Sequence, residues 1–316
     1  MMTNTRVTTP FNRESTALEV VHGIGLGGRR AVVTGGASGI GVETARALAQ
    51  VGAEVTLAVR NPQAGHEAAA DITATTGNDR VLVAPLDLAD LDSVAAFVAN
   101  WDGPLHALVN NAGIMASPEM RTAQGWEMQF ATNHLGHFAL TVGLRPALVA
   151  AEGARVVAVS SSAHLRSPVV FDDIHFQRRP YDPWLAYGQS KTADVLFAVE
   201  ATRRWADDGI LANSLMPGAI RTNLQRFIDE EELARLRKQT AGGDEAAYWK
   251  TAEQGAATSV LLATSPLLDG VGGRYFEDCQ EAGPNQPPAR TGYAPYAMDP
   301  AAAERLWAVS EEMLRA

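Results

Sequence analysis

The sequence has little that allows covalent cross-links or binding to polyanions. Only one of its 316 residues is a cysteine, Cys279, so an intramolecular disulfide and a metal site built from several cysteines are both excluded. Basic residues are also in deficit, because 26 lysines and arginines face 36 aspartates and glutamates and the formal net charge is -10. Nucleic acids and anionic membrane surfaces attract the opposite charge balance. We therefore expect neither as a partner.

Long apolar runs are missing as well. No stretch approaches the roughly 18 consecutive apolar residues that a membrane span needs. Residues 1–13 are polar and lack the apolar segment of a signal peptide, so we predict a cytoplasmic location. The hydrophobic share of 46% is ordinary for a globular protein, and a chain of this length buries a large core without disulfides.

From Arg30 onward, short apolar runs alternate with longer segments of helical period. Apolar runs between helices are typical of parallel strands that are covered on both faces. The sequence therefore predicts an α/β fold, a single-domain Rossmann doubly wound parallel sheet of about seven strands with helices on both faces. The predicted strands are 31–33, 55–59, 81–83, 105–109, 155–160, 210–215 and 274–276, and the main predicted helices are 41–51, 62–75, 91–99, 122–148 and 186–206.

A glycine-rich turn follows the first predicted strand directly. It reads Thr34-Gly-Gly-Ala-Ser-Gly-Ile-Gly41. Its glycines allow the backbone to turn tightly and to approach a pyrophosphate, which then lies at a helix N-terminus. A purely structural turn is the alternative, but the strand–turn–helix context favours dinucleotide binding. The residues assigned to this contact are Gly35, Ser38, Gly39, Ile40 and Gly41.

The spacing G-x-x-x-G-x-G resembles that of the short-chain dehydrogenase/reductase family. The remaining family motifs follow in order over roughly residues 28–276, and Tyr181-Asp-Pro-Trp184 resembles the retinol-dehydrogenase-like branch. The motifs are Asn110-Asn-Ala-Gly113, Asn133, Ser160-Ser-Ser162, Tyr187-Gly-Gln-Ser-Lys191 and Pro217-Gly-x-x-x-Thr222.

Tyr187 and Lys191 are the expected acid–base pair. Four residues apart, they share one face of a helix. A free tyrosine has a pKa of about 10, and a nearby ammonium favours the phenolate and lowers that pKa. Such a hydroxyl exchanges a proton with a carbonyl or alcohol oxygen. A surface tyrosine–lysine pair is the alternative.

The resemblance adds Ser161 and Asn133 to the catalytic residues. In the family pattern S-S-x-x-G, His164 takes the last place, as it does in the retinol-dehydrogenase-like branch, and this register selects Ser161 over Ser160 and Ser162. Its hydroxyl is expected to hydrogen-bond the substrate oxygen. The main chain of Asn133 is expected to hold a water that relays protons from Lys191, with a plain buried asparagine as the alternative.

The connection from Ser161 to Tyr187 spans 26 residues, about twice the family's usual dozen, and is a candidate to shape the pocket mouth or to block a helix-mediated dimer. Two groups have metal-like spacing, namely His134 with His137, and Asp172 and Asp173 with His175. Ordinary packing and a solvated loop are the favoured interpretations, and no metal is predicted.

The end of the second strand favours NADP(H). Val59 stands where NAD-selective enzymes place an acid for the ribose 2′-hydroxyl, and Arg60 stands where NADP-preferring members carry an arginine. NAD(H) remains open, as does a plain surface arginine. The resemblance implies further cofactor contacts from Asp87, Leu88, Asn111, Ala112, Gly113, Tyr187, Lys191, Pro217, Gly218, Ile220 and Thr222.

The implied function is an NADP(H)-dependent oxidoreductase that moves a hydride between nicotinamide and a carbonyl or alcohol carbon of a small molecule. A redox-sensing regulator that binds dinucleotide without turnover is the alternative, although such proteins tend to lose the catalytic tyrosine or lysine. An epimerase or dehydratase of the same fold would also keep Tyr187. Monomer and homo-oligomer both remain open.

The segment 223–238 is expected to cover the substrate. Its apolar residues recur close to helical spacing, and an amphipathic lid would exclude water from the reaction. We therefore expect a neutral, lipophilic ketone or alcohol, with core packing of the stripe as the alternative. The stripe consists of Leu224, Phe227, Ile228, Leu233 and Leu236, and the expected pocket-lining residues are Met115, Leu165, Trp184 and Met216.

The predicted organisation has three parts. Residues 1–28 are an N-terminal extension, residues 29–280 the Rossmann-fold catalytic domain, and residues 281–316 a proline-rich tail that packs on the same domain.

Overall fold

One large sheet forms the centre of the protein, for which the computed structural model describes residues 6–241 and 249–315. The strands are β1 (Arg30–Thr34), β2 (Glu54–Val59), β3 (Val81–Pro85), β4 (Ala107–Asn110), β5 (Ala154–Val159), β6 (Ile210–Met216), β7 (Ala219–Ile220), β8 (Trp249–Lys250), β9 (Tyr275–Glu277) and β10 (Gln280–Glu281). The main sheet has eight of these strands, in the order β3-β2-β1-β4-β5-β6-β9-β10. Strands β7 and β8 form a separate two-stranded sheet.

The order of the first six strands is that of a doubly wound Rossmann sheet, which confirms the predicted fold class. All neighbours from β3 to β9 are parallel, and β10 joins β9 in the antiparallel direction. The predicted number of about seven strands was too low by this last one. Between β9 and β10 the chain reverses at Asp278 and Cys279, which adopt left-handed φ angles of 51° and 62°, and the sequence carries no glycine there to signal the turn.

Helices cover both faces of the sheet. They are α1 (Ala17–Val21), α2 (Gly39–Gln50), α3 (Pro62–Thr76), α4 (Leu91–Ala99), α5 (Met128–Phe130), α6 (Gly136–Gly143), α7 (Arg145–Val149), α8 (Pro183–Trp205), α9 (Glu230–Ala241), α10 (Ala252–Thr264) and α11 (Pro300–Arg315). Consecutive strand residues point to opposite faces, so Val32 lies in the cluster with α4, α6 and α8, while Val33 lies in the cluster with α2 and α10. This explains why the strands are apolar throughout.

The helix predicted over 122–148 differs from the observed structure. It begins only at Met128, because the carboxylate of Glu127 accepts the first free amides, those of Gln129 and Phe130. A π-helical turn, Ala131–Leu135, then joins α5 to α6. This irregular turn carries Asn133, and such turns are frequent at functional sites.

Both chain ends pack on the sheet domain. Helix α1 buries Ala17, Val20 and Val21 in the cluster under α2 and α10. Helix α11 lies on α8 and buries Trp307 against Phe197 and Trp205. The division at residues 28 and 280 stays a prediction. Within the described residues, no helix combines the length and apolar character needed to cross a bilayer.

Candidate active site

The glycine turn after β1 leaves room for a ligand at the start of α2. Gly35 and Gly39 adopt left-handed φ angles of 66° and 56°, which other residues rarely accept. A Cβ on Gly41 would collide with the carbonyl oxygen of Gly35. Ser38 occupies the N-cap position of α2, but its side chain makes no capping hydrogen bond. The first amides of this helix therefore lack a side-chain partner at the cap, which fits a pyrophosphate group.

Thr34 attaches the next loop to this turn. Its hydroxyl accepts hydrogen bonds from the amides of Asn111 (2.9 Å) and Ala112 (3.0 Å), and its carbonyl accepts one from the Asn111 side chain (2.7 Å). A Cβ on Gly35 would lie 3.1 Å from Ala112. The Asn111–Gly113 loop therefore lies beside the glycine turn, at the carboxyl ends of adjacent strands where Rossmann proteins bind nucleotides.

The segment after β6 approaches the same turn from the other side. A Cβ on Gly39 would lie 2.9 Å from the methyl group of Thr222. Gly218 has a φ of 101°, and the side chain of Lys250 fills the space where its Cβ would be. Ile220 is buried in β7 and packs close to Gly255. The segment from Pro217 to Thr222 thus forms the second wall of the nucleotide cleft.

The ends of β2 and β3 supply the remaining predicted cofactor residues. Val59 is buried, whereas Arg60 is exposed. Asp87 is half-buried, and its carboxylate accepts a hydrogen bond from the amide of Ala89 (3.0 Å). The side chain of Leu88 is buried in the core, so only its backbone remains available for a contact.

A second arginine lies near Arg60. Burial lowers the pKa of Arg226, and the positive charge of Arg60 lowers it further. Arg226 comes from the segment that follows Thr222, the residue that contacts the glycine turn. The field at the end of β2 is therefore cationic, which suits an anionic group.

Ser161, which follows β5, lies beside Tyr187 and Lys191 of helix α8. The Ser161 hydroxyl is close enough to lower the pKa of Tyr187, and Lys191 Nζ lies 5.8 Å from the centre of the Tyr187 ring. Ser160 is directed elsewhere, because its hydroxyl donates to the main-chain carbonyl of Lys191 (2.7 Å). Of these two neighbouring serines, the structure places Ser161 beside the tyrosine.

Burial reverses the expected shift of the Tyr187 pKa. The side chain is 3% exposed, and this burial raises the pKa above its ordinary value. The charge of Lys191 and the hydroxyl of Ser161 both lower the pKa, but burial outweighs them. The predicted effect of Lys191 is therefore present, whereas the expected net lowering is wrong.

Lys191 has an acidic partner that the sequence analysis missed. Its Nζ donates to Asp194 Oδ2 at 2.9 Å and to the carbonyl of Val159 at 2.8 Å. The lysine and aspartate side chains are 6% and 7% exposed. Burial raises the pKa of Asp194 to about 6, although the ammonium of Lys191 opposes this shift. The available signal was an acid three residues after the lysine, on the same helical face.

Asn133 uses its side chain for structure. Its amide oxygen accepts from the amide of Ile114 (2.9 Å), and its Nδ2 donates to the Ile114 carbonyl (3.0 Å) and to Ser190 Oγ (2.9 Å). A Cβ on Gly113 would lie 3.1 Å from Asn133 Oδ1 and 3.9 Å from Lys191 Nζ. Asn133 thus braces the loop next to the lysine, and any water relay falls to its main chain.

His134 and His137, which follow Asn133, are both buried and hydrogen-bond to different parts of the protein. Burial lowers both pKa values to about 3, so both rings are neutral at neutral pH. His134 pairs with Ser310 Oγ (2.8 Å), while His137 contacts the Asn133 carbonyl (2.8 Å) and Thr34 Oγ1 (2.9 Å). A carbonyl only accepts, so His137 Nδ1 carries the proton and Thr34 donates to Nε2.

The long connection before Tyr187 folds back on α8. The carboxylate of Asp173 accepts the backbone amides of Gln177, Arg178 and Arg179, and Gln189 of α8 donates to the carbonyl of Ile174 (2.8 Å). Asp172 pairs with Arg305, and His175 Nδ1 accepts from the Glu127 amide. Across residues 6–241 and 249–315, no group of three or more histidine, cysteine or acidic side chains is arranged to hold a metal.

The segment 223–238 does not form the single predicted helix. A 3₁₀ turn, Asn223–Gln225, is followed by α9, which begins after Asp229 because that side chain caps the amide of Glu232 (2.7 Å). The predicted apolar stripe is therefore interrupted, and Phe227 is 39% exposed. The side chain of Leu236 lies outside the described residues.

Helix α9 nevertheless contacts helix α8, which carries Tyr187. The indole of Trp184 donates to Glu232 Oε1 at 2.7 Å, and its ring stands edge-on to Tyr187 at 6.3 Å between centres. The guanidinium of Arg166 lies 5.0 Å above the same indole. Trp184 thus connects the lid segment to the tyrosine.

The C-terminal tail is connected to Ser161, the predicted catalytic serine, through His164. The amide of Ala294 donates to His164 Nε2 (3.1 Å), so the proton is on Nδ1, which donates to the carbonyl of Ser161 (2.7 Å). Tyr293, Tyr296 and Met298 of the tail pack in one cluster with Leu165 and Met216. The sequence analysis placed the tail on the domain but did not assign it to the site.

Comparison with known proteins agrees with this geometry. The family model described as short chain dehydrogenase matches residues 29–233. The probable oxidoreductase of Streptomyces antibioticus is 57% identical, with 92% of this chain and 99% of that protein covered. Human retinol dehydrogenase 12 is 40% identical, with coverages of 92% and 87%. An uncharacterized protein of known structure from Mycobacterium paratuberculosis is 35% identical with a TM-score of 0.72, over 96% of this chain and 98% of the other.

The chain belongs to the short-chain dehydrogenase/reductase family, in its retinol-dehydrogenase-like branch. It is therefore an oxidoreductase that uses a nicotinamide dinucleotide and acts on a small molecule.

Proposed function

We propose that the protein is an NADP(H)-dependent oxidoreductase that interconverts a carbonyl and an alcohol on a neutral, lipophilic substrate, with Tyr187 as the acid–base. The observation that carries this proposal is the buried Tyr187, with Ser161 beside its hydroxyl and Lys191 close to its ring. These side chains lie at the carboxyl ends of the strands, on the side of the sheet where the glycine turn meets α2.

The nicotinamide, when bound, gives or accepts the hydride. In the reducing direction, Tyr187 donates its proton to the carbonyl oxygen of the substrate. Ser161 hydrogen-bonds that oxygen and stabilises the charge that develops on it. Lys191 holds a positive charge near the tyrosine, and Asn133 fixes the loop beside the lysine. Because Tyr187 is buried, water competes little for its proton.

The preference for NADP(H) follows from the end of β2. A 2′-phosphate is an anion, and guanidinium groups bind phosphate in a fixed planar geometry. Arg60 supplies one such group, and Arg226 lies close enough for the charge of Arg60 to lower its pKa. Val59 is buried and apolar, so it cannot bind a ribose hydroxyl as an acid would. The other cofactor contacts are proposed for the predicted glycine-turn, Asn111–Gly113 and Pro217–Thr222 residues, and for Asp87 and the Leu88 backbone.

The proposal of a lipophilic substrate rests on the apolar and aromatic side chains around Tyr187. Leu165 and Met216 pack with tail aromatics, and Trp184 stands at Tyr187. The name of human retinol dehydrogenase 12 indicates that this relative acts on retinol, an apolar alcohol. Arg166, above Trp184, is the residue that an acidic substrate would use instead.

A panel of carbonyl compounds tests the proposal. The purified protein is incubated with NADPH, and separately with NADH, and oxidation of the nicotinamide is followed. We expect turnover with NADPH and a higher kcat/KM for bulky apolar ketones or aldehydes than for small acids. Tight NADPH binding without turnover of any carbonyl or alcohol would favour a redox-sensing regulator. A higher kcat/KM for acidic substrates would contradict the lipophilic substrate class and would indicate that Arg166 binds the substrate carboxylate.

A further inference from the structure

The charge around Tyr187 depends on a residue outside the family's catalytic motifs. Asp194 lies 2.9 Å from Lys191 Nζ, and both side chains are almost completely buried on α8. Its charge also acts on Tyr187, because Asp194 is among the groups that raise the pKa of that hydroxyl. Asp194 is thus part of the electrostatic unit formed by Tyr187 and Lys191.

The net charge of this unit decides how firmly Tyr187 holds its proton. With a neutral tyrosine, a charged lysine and a charged aspartate, the unit is neutral, and loss of the tyrosine proton leaves one buried negative charge. If residue 194 were uncharged, the unit would begin with one positive charge and become neutral on losing a proton. Buried net charge is costly. The wild-type unit therefore retains its proton to higher pH.

Two further charged groups, Arg166 and Glu232, lie near Tyr187 on the far side of Trp184, but neither is among the groups that shift the Tyr187 pKa. His137, on α6, remains neutral, because burial lowers its pKa to about 3 and the charge of Lys191 acts in the same direction. Ser161, from the end of β5, contributes an uncharged hydroxyl, and Val159 contributes a carbonyl.

We propose that Asp194 is a positioning residue of the reaction: its carboxylate neutralises Lys191 and so keeps Tyr187 up to higher pH in the protonated form, which donates a proton to a carbonyl oxygen. In that step the O–H bond of Tyr187 breaks, the substrate oxygen gains the proton while the carbonyl carbon receives the hydride that the bound dinucleotide would supply, and the tyrosine becomes a phenolate. The inference rests on the proposed role of Tyr187.

The test is the ionisation of Tyr187, which needs no turnover. Tyrosinate absorbance is recorded against pH for the wild type and for Asp194→Asn, and each curve is corrected by the matching protein with Tyr187→Phe, because the chain has 6 tyrosines. The amide oxygen introduced by Asp194→Asn would still accept from Lys191, so the change removes charge and keeps the contact. We expect the ionisation of Tyr187 to move to lower pH, by less than the roughly 1–3 pH units of a charge in direct contact, because Asp194 contacts Lys191 and not Tyr187.

A kinetic arm and a matched control complete the design. The pH at which the kcat of carbonyl reduction declines should fall by the same amount. Glu200→Gln is the control. Glu200 is a buried, ion-paired acid on the same helix, and 13 residues from Tyr187 correspond to about 20 Å along the axis. It should leave the ionisation of Tyr187 unchanged.

Each outcome supports or overturns the inference. An unchanged ionisation in folded Asp194→Asn overturns it, as does an equal shift in Glu200→Gln. A shifted ionisation without turnover of any carbonyl or alcohol supports the role of Asp194 and overturns the proposed function instead. If Asp194→Asn does not fold, Asp194→Ser, which also removes the charge, is measured in its place, and its outcomes are read in the same way.

Discussion

The two halves of the cleft are built in different ways. The cofactor half consists of strand ends and glycine turns, where backbone groups and left-handed φ angles define the space, as at Gly35 and Gly39. The proposed substrate half consists of side chains from segments far apart in sequence, such as Trp184, Glu232 and the tail residue Tyr296. Backbone geometry is shared by a whole family, whereas the side chains of a pocket wall can change one at a time. The comparison explains why the first half identifies the family, and it supports the proposal that the second half selects the substrate.

The proposed acid–base, Tyr187, lies where the two halves meet, and its removal is the largest expected effect. Tyr187→Phe removes only the hydroxyl that transfers the proton. We expect kcat to fall by about 10²–10⁴-fold, the range for a general acid–base. Nicotinamide dinucleotide binding, measured by fluorescence titration, should be nearly unchanged. Retention of more than about a tenth of kcat, a barrier change under about 1.4 kcal/mol, would contradict the assignment.

The cofactor half is tested next at Arg60. Arg60→Ala removes a guanidinium proposed to bind the 2′-phosphate, and a hydrogen bond to a charged group contributes roughly 1.5–3 kcal/mol. We expect NADPH to bind about 10- to 150-fold more weakly, while NADH, which lacks the phosphate, serves as the control. Calorimetric titration of both dinucleotides measures the difference. Equal losses for NADPH and NADH would assign Arg60 a structural role.

The substrate half should respond through KM instead. Glu232→Ala removes the acceptor for the Trp184 indole, and one such hydrogen bond contributes about 0.5–1.5 kcal/mol. We expect KM for a bulky apolar substrate to rise by about two- to tenfold, with NADPH binding unchanged. Glu232→Gln is the matched control, because its amide oxygen still accepts from the indole. If both variants behave alike, the charge of Glu232 matters and the hydrogen bond does not.

The same division decides what could be predicted from the sequence. Alternating apolar runs and a glycine turn are local patterns, so the doubly wound sheet and the position of the nucleotide cleft follow from them. Contacts between distant segments have no local signal. The His164–Ala294 bond joins residues 130 positions apart, and the start of α5 depends on how Glu127 turns its carboxylate towards two amides.

Besides contacts between distant segments, the burial of individual side chains could not be predicted from the sequence. The sequence places Lys191 one helical turn from Tyr187 and predicts a lowered tyrosine pKa. In the folded protein, desolvation of Tyr187 opposes that effect and outweighs it. Asp194 was visible as an acid on the same helical face, but its weight comes from its burial beside the lysine, and a surface acid at the same spacing would contribute little.

The smallest expected effect is a loss of stability with little change in the reaction rate. Ser310 of the terminal helix is hydrogen-bonded to His134, next to Asn133, at 2.8 Å. Ser310→Ala leaves a buried imidazole nitrogen without its partner, which costs about 1–3 kcal/mol. We expect the free energy of unfolding, measured by denaturant titration, to fall by that amount. At a temperature where the variant is folded, kcat should stay within about twofold of wild type, because His134 touches none of the reacting groups. Glu312→Ala, on the exposed face of the same helix, is the control and should stay within about 0.5 kcal/mol of wild type. A fall in kcat without a loss of stability would show that the terminal helix positions Asn133, and the tail would then belong to the catalytic apparatus as well as to the substrate wall.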